Sequence, residues 1–525
     1  MLGRAIIPGV PLREMLPLGA IIAVATALRF IGLPARGQWE ADQGHDMLVL
    51  FNLTQHGEWP LLGPPTSIGD FHHGVLYYYL LAPAAWLSGA NPVAVTAMIA
   101  LAGIAAVIVT WRLARSIGGP VAGLVAGGLM AVSASAVDES VFIWNPNLIA
   151  LTSSIALAAA WRGWSAGEDG PARPLAWVVA FAGAVATMHC HVLGVILSPA
   201  IVAPWLLDVR RRHAADRRGL LLAGLAGLGI LLLSYVPLAV NLVTTDFAEV
   251  RAAVAFVTGG GEPATMSLPV RAVVISVRIL SWPLTGLVTG APIAALVVAA
   301  AVVAALVWRA LAGAPPERFA ARWFGLTLVW TATALSVAAS GLATVVPRLP
   351  NDHYHAFVDP IVFVSVGLGI AALARLPMAR PALGAAVAAA AAIALAAFNL
   401  IHQPPAISPD GGWPGGDVAA VRVLDDVGGA DAGTLVLHGL PEFKSADAMR
   451  FPLVRRGADA PQTWSDSTGW ETLPHVVLCD ALFEESIGAA CNGPAEDAAV
   501  AAYGQRLVER FESAPDRWVS VYLPD

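Results

Sequence analysis

The chain has 525 residues, 57% of them hydrophobic and only 13% charged, where soluble domains carry roughly 25% charged residues. Several apolar runs of roughly 17–25 residues fit a bilayer core of about 30 Å, which excludes an ordinary soluble enzyme. The net charge of −7 is split between the two sides of a membrane and specifies no partner, and the basic patches are too short and sparse for a nucleic-acid surface.

The first apolar segment, about residues 15–33, follows Arg4 and Arg13. It is too long and too poorly ended for a cleaved signal peptide, so it reads as a first transmembrane helix with a cytoplasmic N-terminus. Arginines then mark the cytoplasmic loops: Arg112 and Arg115, Arg162 and Arg173, the run Arg210 to Arg218, Arg309 to Arg322, and Arg375 and Arg380. Placing these inside gives about eleven crossings and an external C-terminus. The spans are 15–33, 92–114, 119–137, 148–164, 174–188, 191–207, 219–240, 286–308, 323–345, 355–374 and 381–400. The apolar stretch 74–89, broken by Asn91-Pro92, reads as a half-embedded helix. A true span there, with one extra crossing, raises the count to about thirteen.

Polar residues gather on the external side. Loop 34–73 opens with Gln-Trp-Glu-Ala-Asp-Gln-Gly-His-Asp at 38–46; loop 138–147 holds Asp138, Glu139, Trp144 and Asn145; an apex carries His189, Cys190 and His191. Loop 241–285 holds Glu249, Arg271 and Arg278, and loop 346–355 holds Arg348, His353, Tyr354 and His355. Charge at a membrane edge is costly and marks functional sites. A carboxylate facing an external cavity suits general-base chemistry on a hydroxyl, and a nearby cation suits a lipid-linked phosphate. Asp42 and Asp46 share a face only if that loop is helical.

After a Pro/Gly-rich linker at 401–417, residues 418–525 read as a small external α/β domain. Its strands are placed at Thr434–His438, His475–Cys479 and Val519–Leu523, and its helix at Ala495–Glu512. Cys479 and Cys491 form a disulfide in an oxidising compartment. Arginine outnumbers lysine, whose single example is Lys444, which points to a GC-rich bacterial genome. No nucleotide-binding loop, dinucleotide fingerprint, GxSxG or zinc signature is present in context, which argues against a nucleotide-driven pump and a nucleotide-sugar donor.

Four motifs, Glu40-Ala-Asp42, Gly57-Glu-Trp-Pro60, Gly63-Pro-Pro65 and Leu76-Tyr-Tyr-Tyr79, together with His353-Tyr354…Pro360, resemble the GT-C superfamily of membrane glycosyltransferases. The resemblance is to the branch with protein O-mannosyltransferases, lipid A aminoarabinose transferases and the ArnT-like group. It implies a GT-C-like α-helical polytopic fold over residues 1–400. It also implies an inverting transfer from a polyprenyl-phosphate sugar to a glycan, lipid or protein hydroxyl outside the inner membrane. Asp42 matches the catalytic carboxylate, with Glu40 competing, and Asp138 or Glu139 matches a second acidic position. His72, His73, Tyr77, His189, His191, Arg348, His353 and Tyr354 are the expected substrate-binding set. No residues are assigned as metal ligands, and a divalent metal stays open as cofactor. Two departures stand out: Ala41 separates the acidic pair, and His72-His73-Gly74 replaces the family's Lys-Pro-Pro or His-Pro-Pro. The rival reading is a transporter or flippase for a lipid-linked glycan, which calls for paired inverted repeats not visible here.

Overall fold

The computed structural model describes residues 11–66, 71–167, 170–259, 265–286, 290–344, 352–376, 381–429, 433–462 and 469–525. The chain is a helical polytopic membrane protein with a small C-terminal sheet domain. Among the described residues seven helices are long and apolar enough to cross a membrane: Pro92–Gly118, Val192–Arg211, Ala214–Thr244, Leu268–Thr285, Pro292–Ala312, Ala356–Ala374 and Ala382–Ile401. Pro120–Val132 and Pro174–Cys190 are shorter apolar helices.

The bundle is built around Ala356–Ala374, which is apolar all round and almost wholly buried, as expected of a helix without a solvent or lipid face. Lipid offers no hydrophobic drive for helix association, so small residues must admit close backbones. Gly367 does this: a Cβ there would lie 2.5 Å from the carbonyl oxygen of Ala122. By contrast, Ala214–Thr244 is largely exposed, as expected of an apolar helix at the lipid boundary. At one end of the bundle the fully buried Arg29 donates to the carbonyls of Ala131 and Ala136, both at 3.1 Å. This satisfies helix-end carbonyls and fixes the start of loop 138–147.

One element of the bundle differs from the sequence reading. The expected external loop 241–285 contains a long helix, Leu268–Thr285, packed among the bundle helices. Its arginines hid it. Arg278 is only 1% exposed, donates to the Leu342 carbonyl at 3.0 Å and lies over Trp282, so the charge is sheltered inside protein. The stretch 74–89 forms the helix Leu76–Ser88. Thirteen residues rise only about 20 Å, short of a crossing.

In the C-terminal domain four strands run β1 (Val436–Leu440), β2 (His475–Asp480), β3 (Gln505–Ala514) and β4 (Arg517–Pro524). Their order is β1-β2-β4-β3, with β1 and β2 parallel and the other pairs antiparallel. The expected helix Ala495–Glu512 is helical only over Pro494–Val500 and a following turn. Gly504, at φ 62°, ends it, and the rest pairs with β4 as β3. Leu507, Val508 and Phe511 fit a helical stripe as well as a strand, and the hairpin at Asp516 decides for the strand. Cys479 and Cys491 are joined; closing a loop of that size stabilises a domain by roughly 3 kcal/mol in the chain-entropy model. The segment read as a linker is tied down: Asp410 accepts from the Trp39 backbone N–H at 2.6 Å, and Trp413 meets the Trp39 ring at 4.7 Å.

Candidate active site

The acidic motif is helical, Ala41–Phe51. The Gln43 side chain accepts from the Glu40 backbone N–H at 2.9 Å, satisfying an orphan donor at the helix start. Its amide also donates to the Ile143 carbonyl at 2.9 Å, tying the motif to loop 138–147. Asp42 and Asp46 therefore share a face, four residues apart. Asp42 is exposed, and among the described residues no hydrogen bond or ion pair holds its carboxylate. Asp46, one turn deeper, is buried and accepts from Tyr77 at 2.7 Å and Tyr78 at 2.8 Å. Burial pushes the Asp46 carboxyl up to about 7, against the opposing pull of His45 and the two phenols. The Leu-Tyr-Tyr run thus anchors the acidic helix. Its third ring, Tyr79, donates to the Pro60 carbonyl at 2.6 Å.

Glu40 faces the other way. It lines a cleft against the C-terminal domain with Lys444, Asp480 and Arg517, and its carboxylate lies 3.5 Å from Arg517. Arg517 also donates to the Trp39 carbonyl at 3.0 Å.

The histidines form a second assembly. His73 and His191 rings are 4.7 Å apart, and His191 lies 5.3 Å from His353 and 5.1 Å from Tyr354. Trp144 closes the cluster at 4.3 Å from His353. Asn145, next in the chain, donates to the Cys190 carbonyl at 2.5 Å. Burial first, and the neighbouring His72 second, lower the His73 pKa to about 3, so its imidazole is neutral. His353 is pushed well down by burial and by His73 and Arg278. His72 is held apart by Glu249, which takes its backbone N–H and its ring, both at 2.9 Å. His72, His73 and His189 share a cavity of about 190 Å³ with Ser234, Tyr235 and Leu238. His189 is fixed by Ser234 at 2.9 Å.

Of the expected site residues, His73, His191, His353 and Tyr354 come together, Tyr77 serves Asp46, and His72 and His189 line the cavity. Asp138 is exposed and attracted to Arg36, and Glu139 is half-buried beside it. Arg348 lies outside the described residues. Sequence reasoning named Glu249 only as an external-loop residue and missed Asp447 and Arg517; all three reach the site from distant segments, and no local signal pairs them with it. Gly44 marks one of these contacts: it sits inside the helix, where a Cβ would lie 2.0 Å from the Asp447 carbonyl oxygen. Among the described residues no group of three or more His, Cys, Asp or Glu could hold a metal ion.

Comparison with known proteins agrees with this architecture. The model of the dolichyl-phosphate-mannose-protein mannosyltransferase family matches residues 72–236. Two structures of ArnT from Cupriavidus metallidurans superpose over nearly the whole chain at 15% identity. The apo form gives a TM-score of 0.61, covering 97% of this chain and 98% of that one. The form bound to undecaprenyl phosphate gives 0.62, covering 96% and 97%. The Archaeoglobus fulgidus oligosaccharyltransferase in complex with zinc and sulfate gives 0.51 at 15% identity, covering 90% of this chain and 69% of that one. No curated protein sequence matches. The chain therefore has the fold of the GT-C membrane glycosyltransferases, as its motifs implied.

Proposed function

We propose that this protein is a membrane glycosyltransferase that moves a sugar from a polyprenyl-phosphate donor to an acceptor hydroxyl on the external face, with inversion. The observation that supports the reading is an exposed carboxylate, Asp42, one helical turn from the buried Asp46, whose partner Tyr77 belongs to the chain segment that carries His73 and its histidine-lined cavity. The cavity suits the donor's phosphate and the first units of its lipid. Neutral His73 and His189, with Arg348 and His353, would donate hydrogen bonds as phosphate charge develops, where pre-placed donors act most strongly. Asp42 would take the acceptor proton as the hydroxyl attacks the anomeric carbon from the face opposite the phosphate. Glu40, turned to Arg517, fits a tether better than a base.

The same reading places the N-terminus in the cytoplasm, and residues 418–525 outside the inner membrane. A cytoplasm-dependent reporter fused after Asp525 is silent if so, and strong activity there reverses the topology. A transporter has less support, because it calls for paired inverted repeats and the sequence displays none. The direct test is sugar transfer by the reconstituted protein from undecaprenyl-phosphate-linked sugars compared with nucleotide sugars. Transfer from the lipid-linked donors alone is expected. Flipping of a lipid-linked glycan without bond cleavage would establish the transporter instead.

A further inference from the structure

The first turns of the Ala41–Phe51 helix touch a second element, the N-terminal end of the helix Asp447–Arg455 in the C-terminal domain. Gly44 allows the close approach, since any Cβ would meet the Asp447 backbone. One residue on, His45 Nδ1 lies 3.2 Å from Asp447 Oδ2; the Asp447 side chain is 5% exposed and that of His45 39%. Arg450 stands behind, with Nη1 3.7 Å from the other Asp447 oxygen. On its own helix His45 follows Asp42 by three residues, a spacing that makes side chains neighbours at about 5–6 Å between Cβ atoms. It immediately precedes Asp46, which the phenols of Tyr77 and Tyr78 hold. The charged groups around the imidazole are thus Asp42, three residues back on its own helix, the adjacent Asp46, and Asp447 with Arg450 across the seam. Burial lowers the imidazole's proton affinity, but the Asp447 hydrogen bond and the charges of Asp46, Asp447 and Asp42 outweigh it and raise the pKa.

We infer that the C-terminal domain completes the active site, with Asp447 holding His45 as the proton relay for Asp42. The inference rests on Asp42 being the base. During transfer the acceptor O–H bond breaks and its proton goes to Asp42. The acceptor oxygen bonds the anomeric carbon, and the bond from that carbon to the phosphate oxygen breaks, its electron pair leaving with the phosphate. Asp42 must then unload its proton. An Nδ1–H donated to Asp447 leaves the Nε2 lone pair of His45 to receive it. Asp447 stabilises the imidazolium so formed, and the part-exposed ring passes the proton to water. His45 holds the proton; Asp447 is a positioning residue.

The test uses the full chain in lipid nanodiscs. Histidine-labelled NMR, with His45 assigned by the signal lost in His45→Gln, follows its titration. Wild type should titrate above the ordinary value of about 6.5, and Asp447→Asn should lower it by about one unit or more. In parallel, transfer from undecaprenyl-phosphate-linked sugars extracted from bacterial membranes is measured across pH. The acidic limb of kcat should follow His45, moving to lower pH in Asp447→Asn and returning in Asp447→Glu. A merely structural Asp447 would lower turnover at every pH and leave the limb in place. An unmoved His45 titration, or a limb that stays while the titration moves, overturns the relay. Failure of the underlying reading looks different: Asp42→Asn would then transfer at the wild-type rate wherever the limb lies.

Discussion

The acidic helix and the histidine cluster handle polar groups in opposite ways. Around Asp42 the groups are charged, partly wet and paired across a seam with another domain: Glu40 with Arg517, and His45 with Asp447. Around His73 the clustered imidazoles are sheltered by rings, with Trp144 and Tyr354 at the edge, and the charged Glu249 and Arg278 stand behind His72 and His353. Ionised groups are cheap where water reaches them and expensive where it does not. The two regions therefore suit different halves of one reaction, a base for a polar acceptor on the wet side and hydrogen-bond donors for a lipid phosphate on the dry side. Tyr77 joins them, since it donates to Asp46 from the chain segment that carries His73.

The largest expected effect removes the wet side's chemistry. Asp42→Asn keeps size and hydrogen bonding but loses the proton acceptor, so turnover should fall by about 10²–10⁴-fold while donor binding persists. Glu40→Gln is the control. Should Asp42→Asn remain active and Glu40→Gln be dead, the base is Glu40 and the two carboxylates exchange roles.

On the dry side, His73→Ala deletes the hydrogen-bond donor that the proposed function assigns to the donor phosphate. A bond of that kind is worth about 1.5–3 kcal/mol, so the donor KM should rise by roughly 10- to 100-fold. The acceptor KM should stay put. A two-substrate kinetic analysis separates them, and an equal rise in both constants would dissolve the division of labour.

Legibility in the sequence follows the same divide. Membrane class, the acidic motif, the Leu-Tyr-Tyr run and the disulfide pair were readable because each is written locally, in apolar runs or short spacings. Leu268–Thr285 was not, because Arg271 and Arg278 read as loop charges until Leu342 and Trp282 shelter one of them. Strand β3 was not, because its apolar residues fit two periods and only its hairpin partner chooses. The roles of Glu40 and Gly44 depend on Arg517 and Asp447, between four and five hundred residues away in the chain, and no local pattern encodes such a partner.

A third expectation concerns the buried carboxyl between the two regions. The folded-state pKa of Asp46, about 7, is above its unfolded value of about 3.9. The folded chain therefore binds the proton more tightly. That contribution is fully present below the unfolded value and is lost as pH rises through about 7. Thermal unfolding in detergent should show about 2–3 kcal/mol less stability at pH 8 than at pH 5 from this group. Asp46→Asn, which cannot ionise and still offers Tyr77 an acceptor, should flatten the slope. A slope unchanged by Asp46→Asn would put the titration elsewhere.

The smallest expected effect probes the seam itself. Arg517→Ala removes an ion pair with a partly exposed Glu40, worth about 0.2–1 kcal/mol, and a hydrogen bond to the Trp39 carbonyl worth about 0.5–1.5 kcal/mol. The C-terminal domain keeps its other anchors, the Trp39 indole N–H to the Ala448 carbonyl at 2.9 Å and Asp410 to the Trp39 backbone. Docking should therefore loosen by about 1–2 kcal/mol without being lost. Hydrogen exchange should quicken at the start of the Ala41–Phe51 helix and stay unchanged around His73 and His191. With Glu40 as a tether, Glu40→Gln should quicken exchange in the same place but by less, since Arg517 keeps its hydrogen bond to the Trp39 carbonyl, and the double variant should add little to Arg517→Ala, because the ion pair is already lost there. If Glu40→Gln abolishes turnover while Arg517→Ala leaves both exchange and rate at wild type, Glu40 works in the chemistry and the wet side holds two catalytic carboxylates.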